Sequence, residues 1–341
     1  MKVMHFHFGK DGGAERFFTH LVNAFARRDI EQISVIRPDR SWRKDIDGVS
    51  RIVESHFRNL SLDRVLLPMK VMRMAKAERP DAIMAWAPRA SELMPAYDGC
   101  IKISRLGDYP LRLTYFRNTD VIVCNTPGIA DQVRKLGWDR RVEVISNFTN
   151  TEKVAPIDRA AFDTPADVPL VMSMGRFVKR KGFHTLIDAV ARLPDIWLWL
   201  AGEGEEREAL EAQARERGIF DRTRFLGWQQ DARPHVAAAD IFIMPSNHEP
   251  LGNVILEAWA QDKPVVSSRS EGPVWFMRDG ENGLLVDIDD AAGFAAAIAQ
   301  ILSDSQLARS LAEGGRRTLM AQFSEQAICD AYLDLMTRKR A

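Results

Sequence analysis

The sequence predicts an α/β protein of two domains, each built on a doubly wound parallel sheet. Three observations carry that expectation. The chain has 341 residues, more than the roughly 100–200 that one domain holds. Short apolar runs alternate with segments of helical period, which is the rhythm of strand, crossover helix, parallel strand. That rhythm runs twice, and between its two rounds Pro156, Pro165 and Pro169 interrupt it.

In the first round, strands are expected at 3–8, 32–36, 82–86, 101–104, 121–124 and 142–145. Between the first two, Ala14, Phe17, Phe18, Leu21, Val22 and Phe25 fall on one helical face. The second round places strands at 170–174, 196–201, 224–226, 241–244, 264–267 and 284–286. Helices are expected at 181–193 and up to about 217, with a nearly unbroken helical stretch over 290–340. The domains are read as residues 1–155, completed by a helix over 324–341, and residues 165–323. Both are Rossmann-like, and they are expected to face each other across a cleft. In such sheets ligands bind beyond the carboxyl ends of the strands.

Composition narrows the function. Hydrophobic residues make up 46% and charged residues 28%, which excludes a disordered chain, a fibre and a multi-span membrane protein. Lys+Arg and Asp+Glu are both 47, for a formal charge of zero, which argues against a nucleic-acid binder. The charge is divided, however. Residues 1–150 carry 25 basic and 18 acidic side chains, about +7, and the remainder 22 and 29, about −7. Cys100, Cys124 and Cys329 fit neither a metal knuckle nor a disulfide framework. The start, Met-Lys-Val-Met-His-Phe-His-Phe, lacks a signal-peptide core, and no apolar run reaches the ~18 residues of a membrane span. A cytoplasmic protein is expected, with peripheral contact on the cytoplasmic face of the inner membrane left open. Over 62–79, Leu62, Val65, Leu66, Leu67 and Met69 with Arg64, Lys70, Arg73 and Lys76 read either as a core helix with snorkelling bases or as a helix lying on anionic lipid.

The strongest chemical signal follows the expected strand 241–244. It reads His248-Glu249-Pro250-Leu251-Gly252-Asn253-Val254-Ile255-Leu256-Glu257. Glu249 should sit in a loop and Glu257 about two turns into a helix. The amides of Gly252, Asn253 and Val254 between them start that helix and suit a diphosphate. A second signal, Gly175-Arg176 with Lys181-Gly182, also opens a helix after a strand. Arg176 and Lys181 can neutralise a diphosphate without a metal. A third, Gly12-Gly13-Ala14-Glu15-Arg16, turns from strand 3–8 into a helix. It lacks the Gly-x-Gly-x-x-Gly of dinucleotide enzymes, which disfavours a nicotinamide oxidoreductase. His5 and His7 point the same way on the first strand and read as buried packing; His184 and His235 read as helix-surface residues.

With Ala201-Gly202-Glu203-Gly204 and Leu226-Gly227-Trp228 added in order, the chain resembles a retaining glycosyltransferase of family 4, with the GT-B fold, over residues 3–330. The resemblance implies an acceptor in the first domain and a nucleotide sugar in the second, with the last helix crossing back to the first. It implies that Arg176 and Lys181 bind the diphosphate, Glu249 the sugar hydroxyls and Glu257 the ribose. Leu251, Gly252 and Asn253 would lie beside sugar and phosphate. Gly13 would close the phosphate side, and Gly227 and Trp228 would border the base. The chain departs from the family in two places. Glu271-Gly272-Pro273-Val274-Trp275 lacks the usual acid of a Gly-Gly-x-Pro-Glu turn. No histidine follows the strands at 82–86 and 101–104, so Arg105, Asp108 or Tyr109 is expected on the acceptor side. The stretch Arg105-Leu106-Gly107-Asp108-Tyr109 is similar to bacterial lipopolysaccharide-core mannosyltransferases. The implied activity is metal-free, cofactor-free hexose transfer from GDP-mannose, or from a UDP-hexose, to a glycan or glycolipid. A nucleotide-sugar epimerase and a silent binding module stay open.

Overall fold

The computed structural model describes residues 1–10, 12–56 and 63–338. Asp11, Leu62 and residues 339–341, which fall in segments named above, lie outside the described residues, as do the side chains of Arg64 and Val65.

The chain divides into two compact units, residues 1–147 with 325–341, and residues 148–324. In unit one the strands are β1 (Lys2–His7), β2 (Glu31–Ile36), β3 (Arg51–Glu54), β4 (Ala82–Trp86), β5 (Ile101–Leu106), β6 (Val121–Cys124) and β7 (Arg141–Val144). Its helices are α1 (Gly13–Ala26), α2 (Asp63–Glu78), α3 (Pro88–Ser91) and α4 (Pro127–Lys135). The sheet is parallel, in the order β3-β2-β1-β4-β5-β6-β7. The order reverses between β1 and β4, where His7 lies level with Trp86.

Unit two holds β8 (Leu170–Met174), β9 (Trp197–Ala201), β10 (Thr223–Gly227), β11 (Ile241–Met244), β12 (Val265–Ser268) and β13 (Leu284–Val286). Its helices are α5 (Phe183–Val190), α6 (Arg207–Glu216), α7 (Arg233–Ala238), α8 (Asn253–Ala260), α9 (Pro273–Phe276), α10 (Ala291–Ser303) and α11 (Ser305–Gln322). The sheet order is β10-β9-β8-β11-β12-β13, with the switch between β8 and β11. The strands read as apolar runs because both faces are covered. One face packs Val171, Leu198 and Ile243 on α5 and α10, and the other packs Met172, Trp199 and Phe242 on α8.

The last helix, α12 (Glu325–Thr337), belongs to unit one. Arg27 holds Glu325 there, Arg28 holds Asp330, and Tyr332 meets Phe25 edge-on.

Four local readings differ from expectation. Strand β3 has only two apolar residues, and as an edge strand beside β2 it needs no more. Helix α5 starts at Phe183 because 179–181 form a 3₁₀ turn and Gly182 sits at φ 66°. The stretch 290–338 holds three helices; Asp304 breaks it by accepting from the amides of Gln306 and Leu307. His235, expected on a helix surface, is buried against Phe162 and Trp199. Helix α7 is too short for a wide polar face, so His235 falls on its core side.

Candidate functional site

At the switch point of unit two, the turn after β8 and the loop after β11 are tied by backbone. The Asn247 amide donates to the Arg180 carbonyl at 2.8 Å. Gly182 lies so close that a Cβ there would run into the Pro245 carbonyl. Only glycine suits both that approach and its φ of 66°. Across this seam the Lys181 ammonium donates to Glu249 Oε2, and both side chains are largely buried. The expected diphosphate cation and the expected sugar carboxylate are therefore each other's partners. Arg176, at the mouth of the same turn, is exposed.

The Glu249 loop is held from a third strand as well. After β12, Glu271 uses both carboxylate oxygens: Oε1 lies 2.7 Å from His248 Nδ1, and Oε2 accepts from the Glu249 amide at 3.2 Å. The Gly272 amide donates to the Glu249 carbonyl at 2.8 Å. Partial burial opposes ionisation of Glu271. Hydrogen bonds from its own amide, from His248 and from the Glu249 amide outweigh it and hold the carboxyl below the usual range. Sequence reasoning registered only the acid missing at Trp275. The acid that matters stands four residues earlier, and its role depends on a contact 22 residues back in the chain.

Helix α8 begins at Asn253 behind Gly252, whose φ of 91° turns the chain into it. Glu257 is the fifth helical residue, one turn in rather than two. Asn253 and Glu257, four apart, share the partly exposed face, while Ile255, Leu256, Ala258 and Trp259 are buried. The Leu251 side chain, expected beside the sugar, packs into the apolar core, so what it offers the loop is backbone. Gly227 ends β10 beside the Glu203 carboxylate, and the Trp228 indole after it is 62% exposed.

In unit one, Gly13 is the first residue of α1. The acceptor-side candidates do not form one cluster. Asp108 is exposed and caps the Tyr109 amide at 2.8 Å, and Tyr109 packs at the edge of a separate core around Phe116. Arg105 is buried at 3% exposure, with its guanidinium 4.4 Å from the Phe17 ring and 5.3 Å from the Trp86 ring. It donates to Asn147 Oδ1. His5 and His7 are buried as expected. Burial pushes His5 down to about 4, against a hydrogen bond with Gln32, and His7 down to about 3. Among the described residues no group of three or more His, Cys, Asp or Glu side chains could hold a metal, and no helix is long and apolar enough to cross a membrane.

Comparison with known proteins bears on these two sites. Residues 154–318 match the family Glycosyl transferases group 1, and residues 11–153 match Glycosyltransferase Family 4. The chain is 68% identical over 339 residues to the lipopolysaccharide core biosynthesis glycosyltransferase LpsE of Rhizobium meliloti, covering 99% of this chain and 100% of that one. It is 51% identical over 338 residues to LpsD of the same organism, with 99% and 98% covered. Among solved structures, the Anabaena protein Alr3699/HepE in complex with UDP superposes with a TM-score of 0.85 at 22% identity, covering 99% of this chain and 100% of that one.

Proposed function

This chain belongs to the family 4 glycosyltransferases and has the GT-B fold, and on that footing we propose that it transfers a hexose with retention in lipopolysaccharide core synthesis. The donor is a nucleoside diphosphate sugar held by unit two. The acceptor is a glycan or glycolipid met by unit one. The observation that carries the reading is the Lys181–Glu249 pair at the carboxyl ends of β8 and β11, beside the start of α8. An ammonium, an exposed guanidinium and a helix N-terminus suit a diphosphate. A carboxylate at the same point suits sugar hydroxyls.

Donor entry exchanges the Lys181–Glu249 contact for two others, Lys181 to phosphate and Glu249 to hydroxyl. Lys181, Arg176 and the α8 amides then stabilise the charge that develops on the departing diphosphate. The acceptor oxygen bonds to the anomeric carbon on the face the diphosphate leaves. The bond from that carbon to the phosphate oxygen breaks with its electron pair. The acceptor proton passes to the released phosphate. Glu257 holds the ribose, and the edge at Gly227 and Trp228 borders the base. These charges come from side chains, so the reaction runs without a metal or cofactor.

We take GDP-mannose as the donor, on the resemblance of the 105–109 stretch. A UDP-hexose is the second reading, supported by the UDP in the HepE complex. A thermal-shift screen with GDP, UDP and ADP decides between them, since only the matching nucleotide raises the melting temperature strongly. An anomer-resolved product assay tests retention, and an inverted product overturns it. Activity lost to a chelator and restored by manganese overturns the metal-free step.

A further inference from the structure

We propose that the carboxyl end of the unit-one sheet binds a saccharide carrying a carboxylate or phosphate, and that Arg105 receives that charge; this rests on the transferase reading, which gives unit one the acceptor. Among the described residues, several buried side-chain polar atoms of unit one lack a hydrogen-bond partner. They include Nε of Arg40 and Arg105 and the oxygens of Asn125, Thr126 and Ser146, while His7 lies against the Trp86 backbone and Glu15, and the Tyr332 hydroxyl against Arg105. Proteins leave few such atoms, because each costs about 1–3 kcal/mol.

The strands bring these residues together. His7 ends β1, Arg105 lies on β5, and Asn125 and Thr126 follow β6. Ser146 and Asn147 follow β7, and Tyr332 comes from α12. The Asn125 amide donates to the Leu106 carbonyl at 3.1 Å, which sets it beside β5. Burial raises the Tyr332 hydroxyl, and the neighbouring Arg105 guanidinium opposes that rise.

Arg105 is the singular member. A buried charge is expensive unless it is paired. Among the described residues no carboxylate stands within ion-pair distance of it. Its partners are the Asn147 amide oxygen, the Tyr332 hydroxyl and two aromatic faces, none of which carries a countercharge. The carboxylate of this region, Glu15, lies against His7 at 3.6 Å. Arg40 adds a second positive field at His7. A guanidinium matches the planar fork of a carboxylate or the oxygens of a phosphate. The neutral His7 imidazole, the Asn125 amide and the Thr126 and Ser146 hydroxyls match sugar hydroxyls. Together they describe an acidic saccharide.

The test is calorimetric titration of the full chain with core oligosaccharide freed from lipopolysaccharide in three forms: intact, carboxyl-reduced and dephosphorylated. One neutralisation should weaken binding about tenfold or more, and which one does so identifies the anion. Equal binding of all three forms by the unaltered protein overturns the proposal without any variant having to fold. So does failure of the intact form to bind protein that still takes its nucleotide. Arg105→Gln should bind the three forms alike and keep the wild-type melting shift with nucleotide. Retained discrimination in Arg105→Gln overturns the assignment to that residue. Binding of the intact form with no transfer of sugar counts against the transferase reading and leaves this site standing.

Discussion

The two sheets end in opposite ways. In unit two the charged groups beyond the strand ends are already partnered, and of the buried polar atoms there only Asn247 Oδ1 lacks a partner among the described residues. Lys181 is held by Glu249, the Glu249 amide and His248 by Glu271, and Asn247 by the Arg180 carbonyl. In unit one the corresponding region keeps, among the described residues, a buried cation without a carboxylate and a group of polar atoms without partners. A site whose parts hold one another is organised before its ligand arrives and loses little entropy when it binds. A site with unmet polar groups draws its partners from the ligand, and so rejects ligands that lack them. On the proposed reading, unit two is prearranged for a diphosphate. Unit one is built for something particular.

The sharpest way to break this contrast is at the internal pair. Lys181→Ala removes the cation at the leaving group, and Glu249→Ala removes its partner. Each should lower kcat by roughly 10²–10³-fold, the loss seen when one preorganised charge-stabilising group is deleted. In Lys181→Ala the melting shift produced by the nucleoside diphosphate should also shrink. Full turnover in Lys181→Ala removes the diphosphate assignment and with it the claim that unit two is prearranged for catalysis.

Acid should separate the two units. His5 and His7 are neutral in the fold, at about 4 and about 3, while an unfolded histidine titrates near 6.5. Below pH 6.5 the unfolded chain binds protons that the native β1 does not, so stability falls as pH falls, until each folded pKa is reached. From pH 6.5 to 5 that amounts to roughly 2 kcal/mol for each histidine. In unit two, burial also lowers His235, with Asp231 opposing it, which makes one such histidine there against two in β1. Hydrogen exchange at pH 5 and 7, resolved by peptide, should show β1 losing more protection than β8. Equal losses would mean that the buried histidines do not set the difference.

The same contrast decides what could be read from sequence. In unit two the signals were local. Glycine before a helix, a basic turn after a strand, and two glutamates flanking a cap lie within a dozen residues, and backbone geometry makes their meaning general. In unit one the site is assembled from His7, Arg105, Asn125, Ser146 and Tyr332, spread over nearly the whole chain. Only the sheet order and the return of α12 bring them to one end, and no periodicity encodes that. Arg105 was therefore visible as a candidate, but it stood beside Asp108 and Tyr109, its neighbours in sequence and not its partners in the fold. Glu271 was missed for a related reason. The turn it precedes was judged by the residue expected at 275, and the amide it holds lies in another loop.

Glu271 gives a finer test of prearrangement in unit two. It touches Glu249 through the backbone amide, so it positions the loop rather than the substrate. Glu271→Ala should lower kcat about tenfold, roughly the value of a charge-assisted hydrogen bond, with little change in KM for the donor. Glu271→Gln keeps an oxygen for the Glu249 amide and should recover most of that loss. A variant whose KM rises while kcat holds would mean that Glu271 meets the donor directly.

The smallest effect concerns the outer face of unit one, where its excess of basic residues should act. Along α2 the side chains of Leu66 and Met69 are exposed, about half of each, and Lys70, Arg73 and Lys76 are exposed with them. Apolar side chains ringed by ammonium and guanidinium groups suit the boundary between headgroups and acyl chains of an anionic leaflet. A basic residue near such a surface is worth about 1 kcal/mol, so Lys70→Gln or Arg73→Gln should each weaken sedimentation with phosphatidylglycerol-containing vesicles about fivefold. Neither should alter the melting shift with nucleotide, which belongs to unit two. Equal binding to neutral vesicles, or none to either kind, would leave the +7 of residues 1–150 serving the acceptor's own charge and no membrane at all.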